Sequence, residues 1–236
     1  MAIPLFLAMT GWEISKNAEF SQNIAWMACH FSPYGTGLSN LPNALPPGSM
    51  VILNDRTPVC GHDPALIAAQ LAAVVEENQC MGVLLDFQRP DEQETAAIAE
   101  ILVQELNCPV GVSHYYAQKL SCPVFLPPVP LHVLPEEYLA PWQGREIWLE
   151  CALDGATITV TAEGSAVTPL PYPELENYRH RDANLCCHYE IDITEKRAQF
   201  HLSRTHDDLH DLLAIAEKIN VTHAIGLFQE LDSIVR

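Results

Sequence analysis

Cations are scarce in this sequence: twelve Lys and Arg stand against thirty Asp and Glu, a net charge of −18 over 236 residues. Such a chain repels phosphate backbones and anionic headgroups, which excludes nucleic acid and the membrane surface as partners. Long apolar runs are missing too, and no segment approaches the roughly 20 residues that span a bilayer. The apolar start, MAIPLFLAMT, has no preceding Lys or Arg and no clear cleavage site, so it reads as a first strand rather than a secretion signal. No Cys-x-x-C pair occurs among the eight cysteines, and there is no Gly-rich phosphate loop. Cys80, Cys108, Cys122 and Cys151 sit at the edges of apolar runs, where reduced thiols pack as small hydrophobes, and adjacent Cys186 and Cys187 make an awkward disulfide. Reduced thiols imply a cytoplasmic location. No cofactor is expected. What the charge leaves open is a small neutral ligand such as a sugar, or a cationic one; the oligomeric state is not set by these features.

What is present is a rhythm of short apolar runs, each closing on a polar or turn residue. They fall at 3–10, 23–31, 49–55, 80–87, 108–114, 122–127, 145–151 and 222–228. Helical patterns lie between several of them. In 64–79 the stripe is Leu66, Ile67, Leu71, Val74 and Val75, with Asp63 as N-cap and Pro64 in the first turn. In 91–106 it is Ala97, Ile98, Ile101, Leu102 and Leu106, with acidic residues at the start. Strands alternating with helices predict a parallel sheet, and eight strands predict a closed (β/α)₈ TIM barrel forming a single α/β domain over 1–236. The barrel is abridged, because 32–48 has too much Pro and Gly for a helix and 115–121 allows two turns at most. The stretch 152–205 breaks the rhythm: TITVT, HYEIDIT and AQFHLSR alternate with period two, predicting a β-hairpin insertion between the seventh strand and its helix. Thr205 then caps a helix over 206–219.

The run GVLLDFQRP, 82–90, poses the functional question. Side chains alternate along a strand, and the helix-packing face of a barrel strand is apolar. Val83, Leu85 and Phe87 therefore point outward, while Leu84, Asp86 and Gln88 point inward at the C-terminal mouth, where barrels keep their chemistry. Asp86 has a plainer reading as a helix cap or as a partner of Arg89.

This stretch, MGVLLDFQRP, resembles the fourth-strand signature of chitinase-like glycoside hydrolases of family eighteen, D-x-x-D-x-D-x-E followed by an aromatic and Pro. Gly82 and Pro90 match, Phe87 stands in for the aromatic, Asp86 takes the place of the third Asp, and Gln88 that of the catalytic Glu; the first two acidic positions hold Met81 and Leu84. The resemblance implies a TIM barrel with an insertion after strand seven, and a glycan as partner. In that family the Glu protonates the glycosidic oxygen while the Asp orients the substrate's N-acetyl group as nucleophile, the substrate-assisted route. An amide has no proton to give, so Gln88 cannot be the general acid, a loss commonly of about 10²–10⁴-fold. The family's sixth-strand Met-x-Tyr-Asp pattern is also absent, replaced by FLPPVPLH. The resemblance therefore implies a barrel that binds a glycan at its mouth without hydrolysing by the family mechanism, a pseudoenzyme.

Other carboxylates keep an alternative open. On 145–151, Ile147 and Leu149 pack outward, leaving Glu146, Trp148 and Glu150 inward with Glu150 highest, so Asp86 and Glu150 are a candidate catalytic pair; a retaining pair needs about 5–5.5 Å. On 222–228, Ile225 and Leu227 are expected outward, leaving Gly226, Phe228 and Glu230 toward the mouth. Candidate ligand-binding residues are then Gln88, Asp55, His114, Tyr115, Trp148 and Glu230. Trp12, Trp26, Tyr34, Tyr115 and Tyr116 lie near strand ends and could stack on sugar rings or simply pack. His206 and His210 have metal-like i, i+4 spacing but no recognisable third ligand, so no metal is expected. Cys60-Gly61-His62 pairs a thiol with an imidazole, although sequence adjacency rarely gives nucleophile–base geometry. A third reading is a non-catalytic scaffold in which the insertion mediates association.

Overall fold

A computed structural model describes residues 3–17, 23–170 and 178–235. All eight expected strands form, as β1 (Leu5–Met9), β2 (Ile24–Phe31), β4 (Met50–Asn54), β5 (Gly82–Asp86), β6 (Val110–Ser113), β7 (Val124–Leu126), β8 (Ile147–Cys151) and β14 (Val221–Leu227), with a two-residue β3 (Leu38–Ser39) antiparallel to β2. Neighbours run parallel in the order β1-β14-β8-β7-β6-β5-β4-β2, and β1 also pairs with β2, so the sheet closes into an eight-stranded barrel. The helices outside it are α1 (Gly11–Lys16), α2 (Pro64–Asn78), α3 (Gln93–Glu105), α4 (His114–Ala117), α5 (Pro135–Leu139), α6 (His206–Glu217) and α7 (Phe228–Val235). Between β2 and β4 no helix forms, as the Pro and Gly content of 32–48 requires.

Alternation along the strands divides the apolar residues into two cores. Val83, Leu85, Phe87, Ile147 and Leu149 face outward and pack with Ile67, Leu71, Ile98, Leu102 and Leu212 of the helices. Leu84 and Trp148 face inward, into a lumen filled also by Phe6, Met50, Ile52, Phe125 and Ile225. The Asp63 Oδ1 accepts from the N–H groups of Ala65 and Leu66, capping α2 as its sequence predicts. Two stripe members are misplaced. Leu66 is 39% exposed, because α2 centres its apolar arc on Ile67, Ala68, Leu71 and Val74. In α3 the buried row is Thr95, Ile98, Ala99 and Leu102, which leaves Ala97 on the exposed side.

The insertion is a five-stranded antiparallel sheet of β9 (Gly155–Thr161), β10 (Gly164–Leu170), β11 (His180–Asp182), β12 (Cys187–Ile193) and β13 (Arg197–Ser203), in the order β10-β9-β13-β12-β11. The sequence pattern had no signal for β10, whose side chains are nearly all exposed and include Pro169; an edge strand tolerates both. Leu131, from the segment after β7, packs against Ala156, Cys187 and Leu202 and seats the sheet on the barrel. Two polar networks fix it further. The buried guanidinium of Arg204 donates to Asp154 Oδ1 (3.0 Å), to the Val129 carbonyl (3.0 Å) and to the Cys186 carbonyl (3.4 Å). On α6, buried Asp208 accepts from Arg181 Nε (2.8 Å), Thr205 N (3.0 Å) and Thr205 Oγ1 (2.7 Å), and pairs with His188 Nδ1 (2.7 Å). Burial pushes the Asp208 carboxyl up, but the hydrogen bonds from Arg181, Thr205 and His188 outweigh it and hold the group below its usual range.

None of the eight cysteines forms a disulfide; Cys29, Cys80, Cys151, Cys186 and Cys187 are buried. His62 Nδ1 accepts from the Cys60 backbone N–H and its Nε2 meets the Ser32 carbonyl, so this imidazole serves the loop backbone. Among the described residues no three His, Cys, Asp or Glu side chains converge as metal ligands, and no helix is long and apolar enough to cross a membrane.

Candidate functional site

A cavity of about 510 Å³ opens at the C-terminal ends of the barrel strands. Met27, Ile52, Leu84, Phe125 and Ile225 give it an apolar floor, while Asn54, Asp86, Gln88 and Glu150 supply polar groups above. Arg56, Arg89 and Leu227 stand at its edge. Both carboxylates singled out from strand parity, Asp86 on β5 and Glu150 on β8, therefore line one cavity. So does Gln88, whose amide nitrogen donates a hydrogen bond to Asp86 Oδ1.

The loop that carries Gln88 is held by buried neighbours. Asp55 accepts from the backbone N–H of Gln88 (3.0 Å) and of Arg89 (2.9 Å). Ser113 Oγ accepts from Phe87 N (2.8 Å) and donates to the Leu85 carbonyl (3.0 Å). Tyr116 donates its hydroxyl to the Arg89 carbonyl and accepts from Glu92 N (3.3 Å). With its backbone fixed from three sides, the Gln88 side chain is presented to the cavity in one place.

Carboxyl groups dominate the electrostatics. Burial pushes Asp86 above the usual carboxylate range; the Gln88 hydrogen bond opposes this and the charge of Asp55 adds to it. Glu150 moves furthest, from its ordinary 4.5 to about 7, through burial first and then the charges of Asp86, Glu230 and Asp154. Burial also raises Asp154, against the pull of Arg204, and raises Glu230, against a hydrogen bond from Leu153 N (3.0 Å). A raised pKa in the folded state means that between about pH 4.5 and 7 the native protein holds a proton on Glu150 that the unfolded chain has released. This contribution to stability is present in full below pH 4.5 and is lost as pH rises through 7. Glu150→Gln should therefore raise the melting temperature above pH 7 and leave it unchanged near pH 4, as read by thermal denaturation across pH.

Other expected site residues lie elsewhere. Trp148 is 0% exposed and lies below the cavity, its Nε1 donating to Glu146 Oε1 (3.0 Å), so it fills the lumen instead of meeting a ligand. Asp55 borders the cavity, but its oxygens are spent on the Gln88 and Arg89 amides; Asn54, which shares the inward parity of Met50 and Ile52, is the polar β4 residue that lines the cavity. That was legible from the alternation of MVILN. His114 and Tyr115 stack on one another (4.0 Å between centroids), and Tyr115 borders a second hollow of about 320 Å³ with Asp91, Glu92 and Lys119. Burial lowers the His114 imidazole. Glu230 sits within the electrostatic reach of Glu150. On β14 the expected parity is reversed. Ile225 faces the lumen and Phe228 the outer core, since a register shift between Val221 and His223 moves the pattern by one residue. Tyr138, half-buried within the electrostatic reach of Glu150 and pushed up to about 12 by desolvation and then by the charges of Glu150 and Tyr115, carried no sequence signal.

No family model matches the sequence, and no curated protein matches it. Solved structures do. A doubly substituted mutant of a family-eighteen chitinase from Cycas revoluta, in complex with (GlcNAc)4, is similar at a TM-score of 0.60 and 12% identity, covering 99% of this chain and 97% of that one. A chitinase from Chromobacterium violaceum gives 0.59 and 9%, with 95% and 93% covered. The spore cortex-lytic enzyme SleL of Bacillus megaterium gives 0.56 and 11%, with 95% and 70% covered. At these identities the likeness is one of fold: the chain is a TIM barrel, as those proteins are.

Proposed function

We propose that this barrel binds an amino-sugar oligosaccharide at its C-terminal mouth and does not hydrolyse it by the chitinase mechanism. The observation that carries the reading is Gln88, which lines the cavity where the resemblance places the catalytic acid and directs its amide at Asp86. An amide donates a hydrogen bond but cannot deliver a proton to a leaving group. Binding is supported by the apolar floor of Met27, Ile52, Leu84, Phe125 and Ile225, against which one face of a pyranose fits. The similar Cycas revoluta chitinase, one of whose two substitutions exchanges a glutamate for glutamine, is the one seen with (GlcNAc)4.

Calorimetric titration of the full chain with (GlcNAc)4 tests the reading. It predicts saturable binding, weakened about tenfold by Asp86→Ala through loss of a charged hydrogen-bond acceptor, with no product formed. Absence of binding to amino-sugar oligomers would remove it.

A second reading has one observation in its favour. Glu150 shares the cavity with Asp86, and its pKa of about 7 suits a general acid at neutral pH. On that reading the barrel is a glycoside hydrolase rebuilt on Asp86 and Glu150, and turnover is abolished by Glu150→Gln but survives Gln88→Ala.

A further inference from the structure

Among the described residues no cation forms an ion pair with Asp86 or Glu150, although Arg56 and Arg89 border the cavity. Asp86 takes its side-chain hydrogen bond from the neutral amide of Gln88. Glu150 is faced by Asp86 from β5, by Glu230 from α7, by Asp154 at the base of the insertion and by Tyr138 from α5, none of them cationic. Arg204, the buried cation of this region, is committed to Asp154 and to two carbonyls. Arg89 borders the cavity, but its guanidinium is turned to the Arg56 carbonyl (3.1 Å) and toward Glu92 (4.0 Å), and Arg56 stands exposed at the rim. Below the carboxyls the floor is apolar. A cavity open at the barrel mouth, with an apolar floor and two carboxyls above it, suits a ring that has an apolar face and one cationic substituent.

We propose, resting on the glycan reading above, that the cavity selects a glucosamine unit whose 2-amino group is free and protonated over the N-acetylated unit, the ammonium lying between Asp86 and Glu150. An ammonium offers three donors and a full charge to the two carboxyls. An acetamido group in the same place offers one N–H, and its carbonyl oxygen is repelled by the same carboxylates. Glu150, near half-protonated at pH 7, is driven to the carboxylate by a cationic partner; part of the proton it gives up completes the protonation of the ligand amine and the remainder passes to the buffer.

The test compares fully deacetylated and fully acetylated glucosamine tetramers with the full chain, by calorimetric titration at pH 7 in two buffers of unlike ionisation enthalpy. The expected result is affinity for the deacetylated tetramer about tenfold or more higher, as for hydrogen bonds between charged groups. Proton release should accompany that ligand and be absent with the acetylated one. Glu150→Gln should narrow the ratio and suppress the proton release. Equal or tighter binding of the acetylated tetramer would overturn the selectivity and leave the glycan reading standing. Failure of both tetramers to bind would overturn the two together.

Discussion

Trp148→Ala is expected to destabilise the barrel by about 3–5 kcal/mol, the range for deleting a large buried aromatic. The indole is fully buried and is the largest side chain of the lumen core. The strands around it have been thinned to admit it. A Cβ on Gly111 would lie 2.3 Å from the indole Cε3, and one on Gly82 would lie 3.2 Å from its Cη2. His223 lies tilted against the ring at 5.0 Å and Phe6 lies beyond it, so the deletion opens a void walled by residues of several strands. Backbone hydrogen bonds hold those strands apart, which limits collapse into the gap. The void also leaves Glu146 without the Nε1–H it accepts at 3.0 Å. Urea denaturation gives the magnitude, and a double-mutant cycle gives the cause: Gly111→Ala should cost several kcal/mol less in the Trp148→Ala background than alone, because the clash is gone. A loss below about 1 kcal/mol, or additivity of the two substitutions, would mean that the ring does not fill the lumen.

Arg204→Ala is the second large effect, about 3 kcal/mol, the low end of the range for breaking a buried ion pair, because Asp154 keeps 33% of its side chain exposed. Its guanidinium satisfies Asp154 and the carbonyls of Val129 and Cys186 together, tying the start of the insertion, the segment after β7 and the turn before β12 into one joint. Truncation strips this donor from the buried carbonyls of Val129 and Cys186 and from the half-buried Asp154 carboxylate. Arg204→Lys should recover little, since a compact ammonium cannot reach three acceptors in the fork geometry of a guanidinium. The sign with pH follows from Asp154. Without Arg204 its folded-state pKa, already raised by burial, rises further. The penalty is then in full force above that pKa and shrinks as pH falls toward the ordinary value of 3.8. Denaturation at two pH values, with proteolysis to follow the insertion, checks both statements. A variant within about 1 kcal/mol of the native chain would mean that the joint carries little.

Much of the architecture was legible because the physics is local. Five barrel strands, β1, β2, β4, β5 and β6, end where the apolar run meets a polar residue, and Asp63 and Thr205 cap the helices their sequences announce. Parity along β5 and β8 placed Asp86 and Glu150 in one cavity, although three strand spacings separate them. The same rule failed on β14 for two physical reasons. A register shift near its start displaces the alternation, and the tight approach of Leu231 demands Gly226 on the outer side, where a Cβ would lie 2.2 Å from Leu231 Cδ1. The wide lumen accepts Ile225 instead. Trp148 was misread because parity gives the side of a strand and not the height: the lumen has a filled lower part and an open mouth, and only packing against Gly82 and Gly111 assigns the indole to the former. Asp154 and Tyr138 join the site through segments that carry no periodic signal.

On the proposed reading, the amide at position 88 stands where the resemblance to chitinases puts the proton-donating Glu, so the barrel binds without cleaving. The direct measurement is mass spectrometry of (GlcNAc)4 after prolonged incubation with the purified chain at concentrations that saturate binding. The account predicts an intact tetramer. Shorter oligomers that vanish with Asp86→Ala yet persist with Gln88→Ala would contradict it.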